Sequence, residues 1–273
     1  EFEYIEGSDQ KLADLTRLLH LSNGAGKSVA IVGGKGVGKK TLARALVHTQ
    51  QDESTPSQLM IRPFYRLNVN ALFNSSAPSQ AETKFNEVMR ELKSIHDRRG
   101  VKPLLVIEDG TGFINGVTSG NHGNIVHILD DADNGSNYLD ILMVASEDAL
   151  KDLHESHPTF MADLSVFKVE EPDKGELLAI LRKHAEGYGA NGITFKDESL
   201  RKIIEITTQY PKIFNYVQPK RAVRFMDEVA VGYQLTMHSK PQGYFDREAQ
   251  IENLEKQIAV ASEEEKESLI GMR

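Results

Sequence analysis

Residues 29–46 read VAIVGGKGVGKKTLARAL, and they hold the side chains best suited to chemistry. Gly33, Gly38 and Lys39 have the spacing G-x-x-x-x-G-K of a phosphate-binding loop. Phosphate oxygens are held by backbone N–H groups at a helix N-terminus, so the backbone must approach them without Cβ atoms in the way. On this reading Gly33, Gly34, Gly36, Val37, Gly38, Lys39, Lys40 and Thr41 form the cradle, and Lys39 reaches the β- and γ-phosphates. A short β-branched run, Val29–Val32, precedes the glycines, and a helix-forming run begins at Lys39. Strand before and helix after are the context the motif requires.

Position 40 departs from the motif. A Ser or Thr hydroxyl there binds Mg²⁺, and this chain has Lys40. Thr41 follows, but one residue along a helix turns the side chain by about 100°. Two alternatives stand: a decayed loop kept for its shape, or a Lys40 ammonium supplying positive charge at the metal position. A second lysine-containing match, Gly24-Ala25-Gly26-Lys27-Ser28, precedes the strand and has Leu21 where the first glycine belongs. It is expected to be an exposed turn.

The elements that must position this loop follow from periodicity. Residues 9–20 have Leu12, Leu15, Leu18 and Leu19 on one side of a helix. Strands are expected at 29–32, 64–69, 104–107, 138–145 and 166–169, with the runs 104–107, 138–145 and 166–169 read as buried strands of a parallel sheet. Helices are expected at 39–49, 81–98 and 123–131. The stretches 50–60, 74–80 and 110–123 are expected to be loops, the last because it holds five glycines without periodicity. After Pro172 the pattern is helical only, at 173–188, 197–209 and 219–234. This divides the chain into an α/β domain at 1–171, a helical domain at 172–238 and a charged, coiled-coil-like helix at 245–273, joined by a linker at 239–243. Ile251, Leu254 and Ile258 form a narrow seam on that last helix, which then needs a partner.

Bulk properties set limits. The 273 residues are 40% hydrophobic and 26% charged, with a net charge of −8. Such a balance suits a globular protein and disfavours a general nucleic-acid binder. Without cysteine, disulfides and thiolate metal sites are excluded, in keeping with a reducing, cytoplasmic setting. No apolar stretch approaches the roughly 18 residues of a membrane span. The chain opens EFEYIEG, without an initiator Met or a secretory pattern, and is expected to be a piece of a longer protein.

With these elements in order, the chain resembles the first ATPase domain of the Clp/heat-shock disaggregase group of AAA+ proteins. The resemblance runs from roughly Ile5 to the terminal helix. It is carried by Gly33–Lys39, RLNVNALF at 66–73, LLVIED at 104–109, EEPDKGELLAILRKHAEGYG at 170–189 and PKRAVRFMDEVA at 219–230. It implies an α/β AAA+ sheet domain with a smaller helical lid. It also implies ATP or ADP with Mg²⁺, a ring that is often a homo-hexamer, and a protein substrate or partner.

The same resemblance marks several departures. The family strand ends in Asp-Glu, the Asp helping to hold Mg²⁺ and the Glu activating water; here the order is Glu108-Asp109. Glu108 then takes the metal position and the shorter Asp109 the base position. Ser146 falls where the family places its γ-phosphate sensor, and it is equally a helix cap. No Arg or Lys lies between Lys151 and Lys168, so the arginine finger is missing. No aromatic lies between Phe73 and Phe85, so Ala77 or Pro78 stands where the family grips its polypeptide. Arg221 is the lid residue placed to approach phosphate, with Lys220 a weaker candidate. The nine histidines show no metal spacing beyond His154 and His157, which are expected to be solvent-facing loop residues. A DNA-linked AAA+ role gains nothing from the negative charge. The expectation is a Clp-like domain that binds nucleotide with impaired hydrolysis; the alternative is a nucleotide-independent AAA+ scaffold for assembly.

Overall fold

The computed structural model describes residues 9–20, 28–49, 62–74, 78–119, 122–238 and 251–253. Five parallel strands form one sheet in the order β2-β3-β4-β1-β5. They are β1 (Val29–Val32), β2 (Phe64–Arg66), β3 (Leu104–Ile107), β4 (Asp140–Val144) and β5 (Ser165–Lys168). The helices are α1 (Asp9–His20), α2 (Lys39–Thr49), α3 (Val69–Phe73), α4 (Pro78–Arg99), α5 (Gly110–Ser119), α6 (Gly123–Asp130), α7 (Glu147–Ser156), α8 (Pro158–Asp163), α9 (Lys174–Glu186), α10 (Asp197–Gln209) and α11 (Lys220–His238). The chain divides into two compact units, Glu1–Val223 and Arg224–Arg273. The first holds the sheet; the second holds the rest of α11 and the helical residues 251–253.

The central strands are apolar throughout because both faces of the sheet are covered. Val29, Ile31, Leu104, Val106, Leu142 and Val144 face one core with Leu15 and Leu19 of α1 and Leu42 and Leu46 of α2. Their neighbours Ala30, Val32, Leu105, Ile107, Ile141 and Met143 face the other core, with Phe85, Phe113, Ile125 and Leu129. Alternate residues of one strand thus enter opposite cores.

Several sequence expectations need correction. The glycine-rich stretch expected as loop is helical: α5 covers Gly110–Ser119 and buries Phe113, Ile114 and Val117. Its glycines serve close packing, since a Cβ on Gly116 would sit 2.6 Å from the Phe73 ring and one on Gly110 would sit 2.4 Å from Met143 Cγ. The strand expected at 64–69 ends at Arg66, because Asn68 caps α3 by accepting from the Ala71 N–H at 3.1 Å. Within the loop expected at 74–80, residues 78–80 already belong to α4. β4 starts at Asp140, not 138, because a π-turn at Asp131–Gly135 places the Ala132 carbonyl to accept from the N–H groups of Tyr138 and Leu139. β5 is an edge strand, not a buried one, and Val166 is 51% exposed. Ser28, read as part of an exposed turn, is buried, and its Oγ accepts from the Ile141 N–H at 2.8 Å. His154 is exposed as expected but lies on α7, and the half-buried His157 packs edge-on against His127. The expectations for 24–27, 50–60, 75–77, 239–243 and most of 245–270 lie outside the described residues.

Asp133, in the π-turn, is buried, and burial raises its carboxyl from 3.8 to about 6 despite a hydrogen bond with Ser28. A raised carboxyl stabilises the fold fully below pH 4, and that contribution is lost as pH rises through about 6. The gap corresponds to about 3 kcal/mol. Asp133→Asn is therefore expected to match the wild type near pH 4 and exceed it in stability by up to about 3 kcal/mol above pH 6.5. Urea unfolding of both proteins at the two pH values checks this; equal stabilities at pH 7.5 would contradict it.

Candidate nucleotide site

The parallel strands end together, so Gly33, Glu108, Ser146 and Val169 lie along one edge of the sheet. Crevices outside the carboxyl ends of such strands are where open α/β sheets take ligands. The loop between β1 and α2 turns sharply there. Gly33 has φ +145° and Gly38 has φ +102°, which only glycine adopts without strain. At Gly33 even a methyl group would strike the Val169 carbonyl oxygen, 2.4 Å away, whereas Gly38 faces open space.

Lys39 opens α2, and its ammonium donates to the carbonyl oxygens of Gly33 at 2.6 Å and Gly34 at 3.0 Å. Burial lowers its pKa; Lys40 lowers it further, while Glu147 opposes both. Lys40 is exposed and Thr41 half-buried. Val37, buried, donates its N–H to the Gly34 carbonyl at 3.3 Å.

Both acids at the end of β3 have partners within the protein. Glu108 accepts from Arg44 Nε at 3.0 Å and from Arg44 Nη2 at 2.6 Å, a bidentate pair. Arg66 Nη1 adds a second guanidinium at 3.9 Å. The Arg44 hydrogen bonds hold the Glu108 carboxyl below its usual range, and Arg66 and Lys40 add to the effect. Asp109 is exposed and caps α5, accepting from the Gly112 N–H at 3.2 Å. Ser146 caps α7, accepting from the Ala149 N–H at 3.2 Å, while its own N–H donates to Thr111 Oγ1 at 2.9 Å.

The segment 216–221 closes over the loop. The Val217 N–H donates to the Lys35 carbonyl at 3.1 Å, and the Lys220 N–H donates to the Gly36 carbonyl at 3.3 Å. Lys35 and Lys220 both sit over the Tyr216 ring, at 5.4 and 4.3 Å. Arg221 lies in the same segment, but its Nε donates to the Tyr216 carbonyl at 2.8 Å and its Nη1 to the Thr207 carbonyl at 3.2 Å. Its guanidinium ties the segment to α10. The structure thus brings Gly33–Thr41 and Glu108 together, and gives Asp109, Ser146 and Arg221 structural partners within the protein. Ala77 lies outside the described residues, and Pro78 opens α4.

Sequence reasoning missed Arg44, although a signal existed. Residue 44 is four past Lys40, so both lie on one face of α2. The contacts of Val217 and Lys220 with the loop had no comparable signal, because only the fold brings residues so far apart in sequence together.

A family profile for the AAA lid domain matches residues 173–270. Heat shock protein 104 of Schizosaccharomyces pombe is 23% identical over 91% of this chain and 27% of its own length. The ATP-dependent Clp protease ATP-binding subunit ClpE of Bacillus subtilis is 26% identical over 81% of this chain and 30% of its own length. Together these similarities support a Clp/Hsp104 disaggregase-type AAA+ protein. It spans less than a third of these two relatives. Among solved structures, a Saccharomyces cerevisiae Hsp104–ADP complex superposes on this AAA+ chain with a TM-score of 0.75. The identity is 17%, covering 99% of this chain and 39% of that one. An S. cerevisiae Hsp104:casein complex in an extended conformation gives a TM-score of 0.71 at 18% identity, covering 88% and 39%. These structures show a shared fold: the α/β AAA+ sheet with a helical lid.

The site's donors fit one expected ligand and not another. The glycine loop with Lys39 presents the N–H groups and positive charge that a nucleotide phosphate needs. Mg²⁺ needs oxygen ligands, and here position 40 carries an ammonium and both Glu108 oxygens face Arg44. The residues of this AAA+ site do not fit the metal.

Proposed function

We propose that this AAA+ domain binds ATP or ADP in its P-loop, hydrolyses it weakly or not at all, and works within a chaperone-type, protein-remodelling homo-oligomeric ring in the cytoplasm. The large α/β domain is assigned to 1–171, the lid to 172–238 and the start of a coiled-coil-like helix to 245–273. In the site, the backbone of Gly33–Lys40 and the Lys39 ammonium hold the phosphates. Thr41 and Ser146 flank them, and Arg221 positions the lid segment.

The observation that carries this reading is a contrast within one site. The glycine loop keeps its positive-φ turns at Gly33, Gly36 and Gly38, while Glu108 and Asp109 are engaged in an ion pair and a helix cap. A base that is to take a proton from water must reach it. Arginine fingers are worth about 10³–10⁵ in rate, and no Arg or Lys lies between Lys151 and Lys168 to supply one.

A second reading, a nucleotide-independent AAA+ scaffold, is favoured by the Lys39 ammonium closing on the loop's own carbonyls. Titration with a fluorescent ATP analogue separates the two. Saturable binding that Lys39→Ala weakens at least about tenfold supports the nucleotide reading. Absence of binding in both proteins would leave the scaffold.

A further inference from the structure

We propose that this P-loop recognises its nucleotide uncomplexed by metal, with Lys40 and the Arg44–Glu108 ion pair standing where a divalent cation and its ligands would be. The inference rests on the nucleotide-binding reading above and specifies which form of the nucleotide is taken.

Three observations converge on it. The first is charge: Lys40 places an ammonium at the position whose hydroxyl would ligate a metal. The second is Arg44, one helical turn further along the same face of α2. Its planar fork takes both oxygens of Glu108, at 3.0 and 2.6 Å. Glu108 is mostly shielded, its side chain 15% exposed, so its oxygens have little room for another partner. The third is the surrounding field. Arg66 lies 3.9 Å from the same carboxylate, and Lys40 also acts on it. One carboxylate among three cations leaves a positive site, which repels a divalent cation and attracts phosphate.

Among the described residues, no neighbour restores the metal's ligands. Asp109 points its carboxylate at the N-terminus of α5. Thr41 is half-buried and turned about 100° around the helix from position 40. For Glu108 to ligate a metal, the bidentate Arg44 pair must open first. The Arg44 hydrogen bonds hold the Glu108 carboxyl below its usual range, which keeps it ionised and paired.

The test compares the affinity of the full chain for a fluorescent ATP analogue in EDTA and in excess Mg²⁺. The expected result is an affinity in EDTA equal to or tighter than that in Mg²⁺. The variant Lys40→Thr/Arg44→Ala, which returns a hydroxyl and frees Glu108, is expected to bind at least about tenfold more tightly with Mg²⁺ than without it. Tenfold tightening of the wild type by Mg²⁺ would overturn the proposal. A double variant that stays indifferent to Mg²⁺ would overturn the assignment to Lys40 and Arg44. Absence of binding in either buffer would instead bring down the nucleotide reading itself, and the inference with it. If the double variant fails to fold, the wild-type comparison alone still decides.

Discussion

Replacing Asp140 with alanine is expected to cost the fold about 3–5 kcal/mol, because it leaves a buried guanidinium without its counter-charge. Asp140 opens β4 and is fully buried. Arg62 forms an ion pair with it, and Lys102 lies 3.8 Å from its other oxygen. Arg62 also donates through Nε to the Lys102 carbonyl at 3.3 Å, so the three groups form one cluster under the N-terminal end of the sheet. Burial lowers the Arg62 guanidinium to about 10, which leaves it charged at neutral pH. Without Asp140 that charge stays in a poorly solvated place. The loss is a large share of the stability of a typical domain, about 5–15 kcal/mol. Urea unfolding should show a lower midpoint with an unchanged slope. The double change Arg62→Met/Asp140→Leu is expected to recover most of the loss, since apolar replacement of a buried pair is often neutral or better. A single Asp140→Ala variant within 1 kcal/mol of the wild type would show that the pair contributes little.

Asp140 also shows what the sequence left unreadable. The run 138–145 is apolar enough to read as a buried strand, and β4 lies within it. Nothing local indicates that its one carboxylate is buried, because its partner Arg62 comes from a different part of the chain. The nucleotide site divides in the same way. Gly33–Lys39 is legible because a phosphate cradle is built from consecutive residues, and the departure at Lys40 is legible for the same reason. The fates of Glu108, Ser146 and Arg221 depend on Arg44, Thr111 and Thr207, which only the fold brings near. Roles that depend on distant partners were therefore open in the sequence, and each of these three side chains has a structural partner.

The two acids connect these partners to function. Glu108 and Asp109 follow β3 directly, yet they face different neighbours, one the cationic face of α2 and the other the start of α5. Moving one residue past the strand end changes direction, so reversing the acid order does more than shorten a side chain. It gives the longer acid to Arg44 and the shorter one to a helix cap. A site built this way can keep phosphate contacts while lacking a free base, which is the combination proposed for this domain.

Phe113→Ala is expected to destabilise the domain by about 3–5 kcal/mol, the usual cost of removing a fully buried aromatic ring. Phe113 is 1% exposed and lies in α5, within the stretch 110–123 whose five glycines favour a loop on sequence grounds. Its ring centroid is 6.1 Å from that of Phe73 and 6.3 Å from that of Phe85, so three elements meet on it. Such aromatic pairs add about 0.5–1.5 kcal/mol beyond area burial. The glycines make this packing possible: a Cβ on Gly116 would lie 2.6 Å from the Phe73 ring, and Gly116→Ala is expected to cost about 1–3 kcal/mol by overpacking. Phe113→Leu keeps most of the volume and should cost less than about 1.5 kcal/mol. If 110–119 were a surface loop, all three changes would lie within about 0.5 kcal/mol of wild type, so urea unfolding of the series distinguishes the two arrangements. Because α5 begins right after Asp109 and carries Thr111, which accepts from the Ser146 N–H, loosening it should also weaken nucleotide binding. Gly116→Ala, with the site residues unchanged, is the variant in which that coupling is best measured.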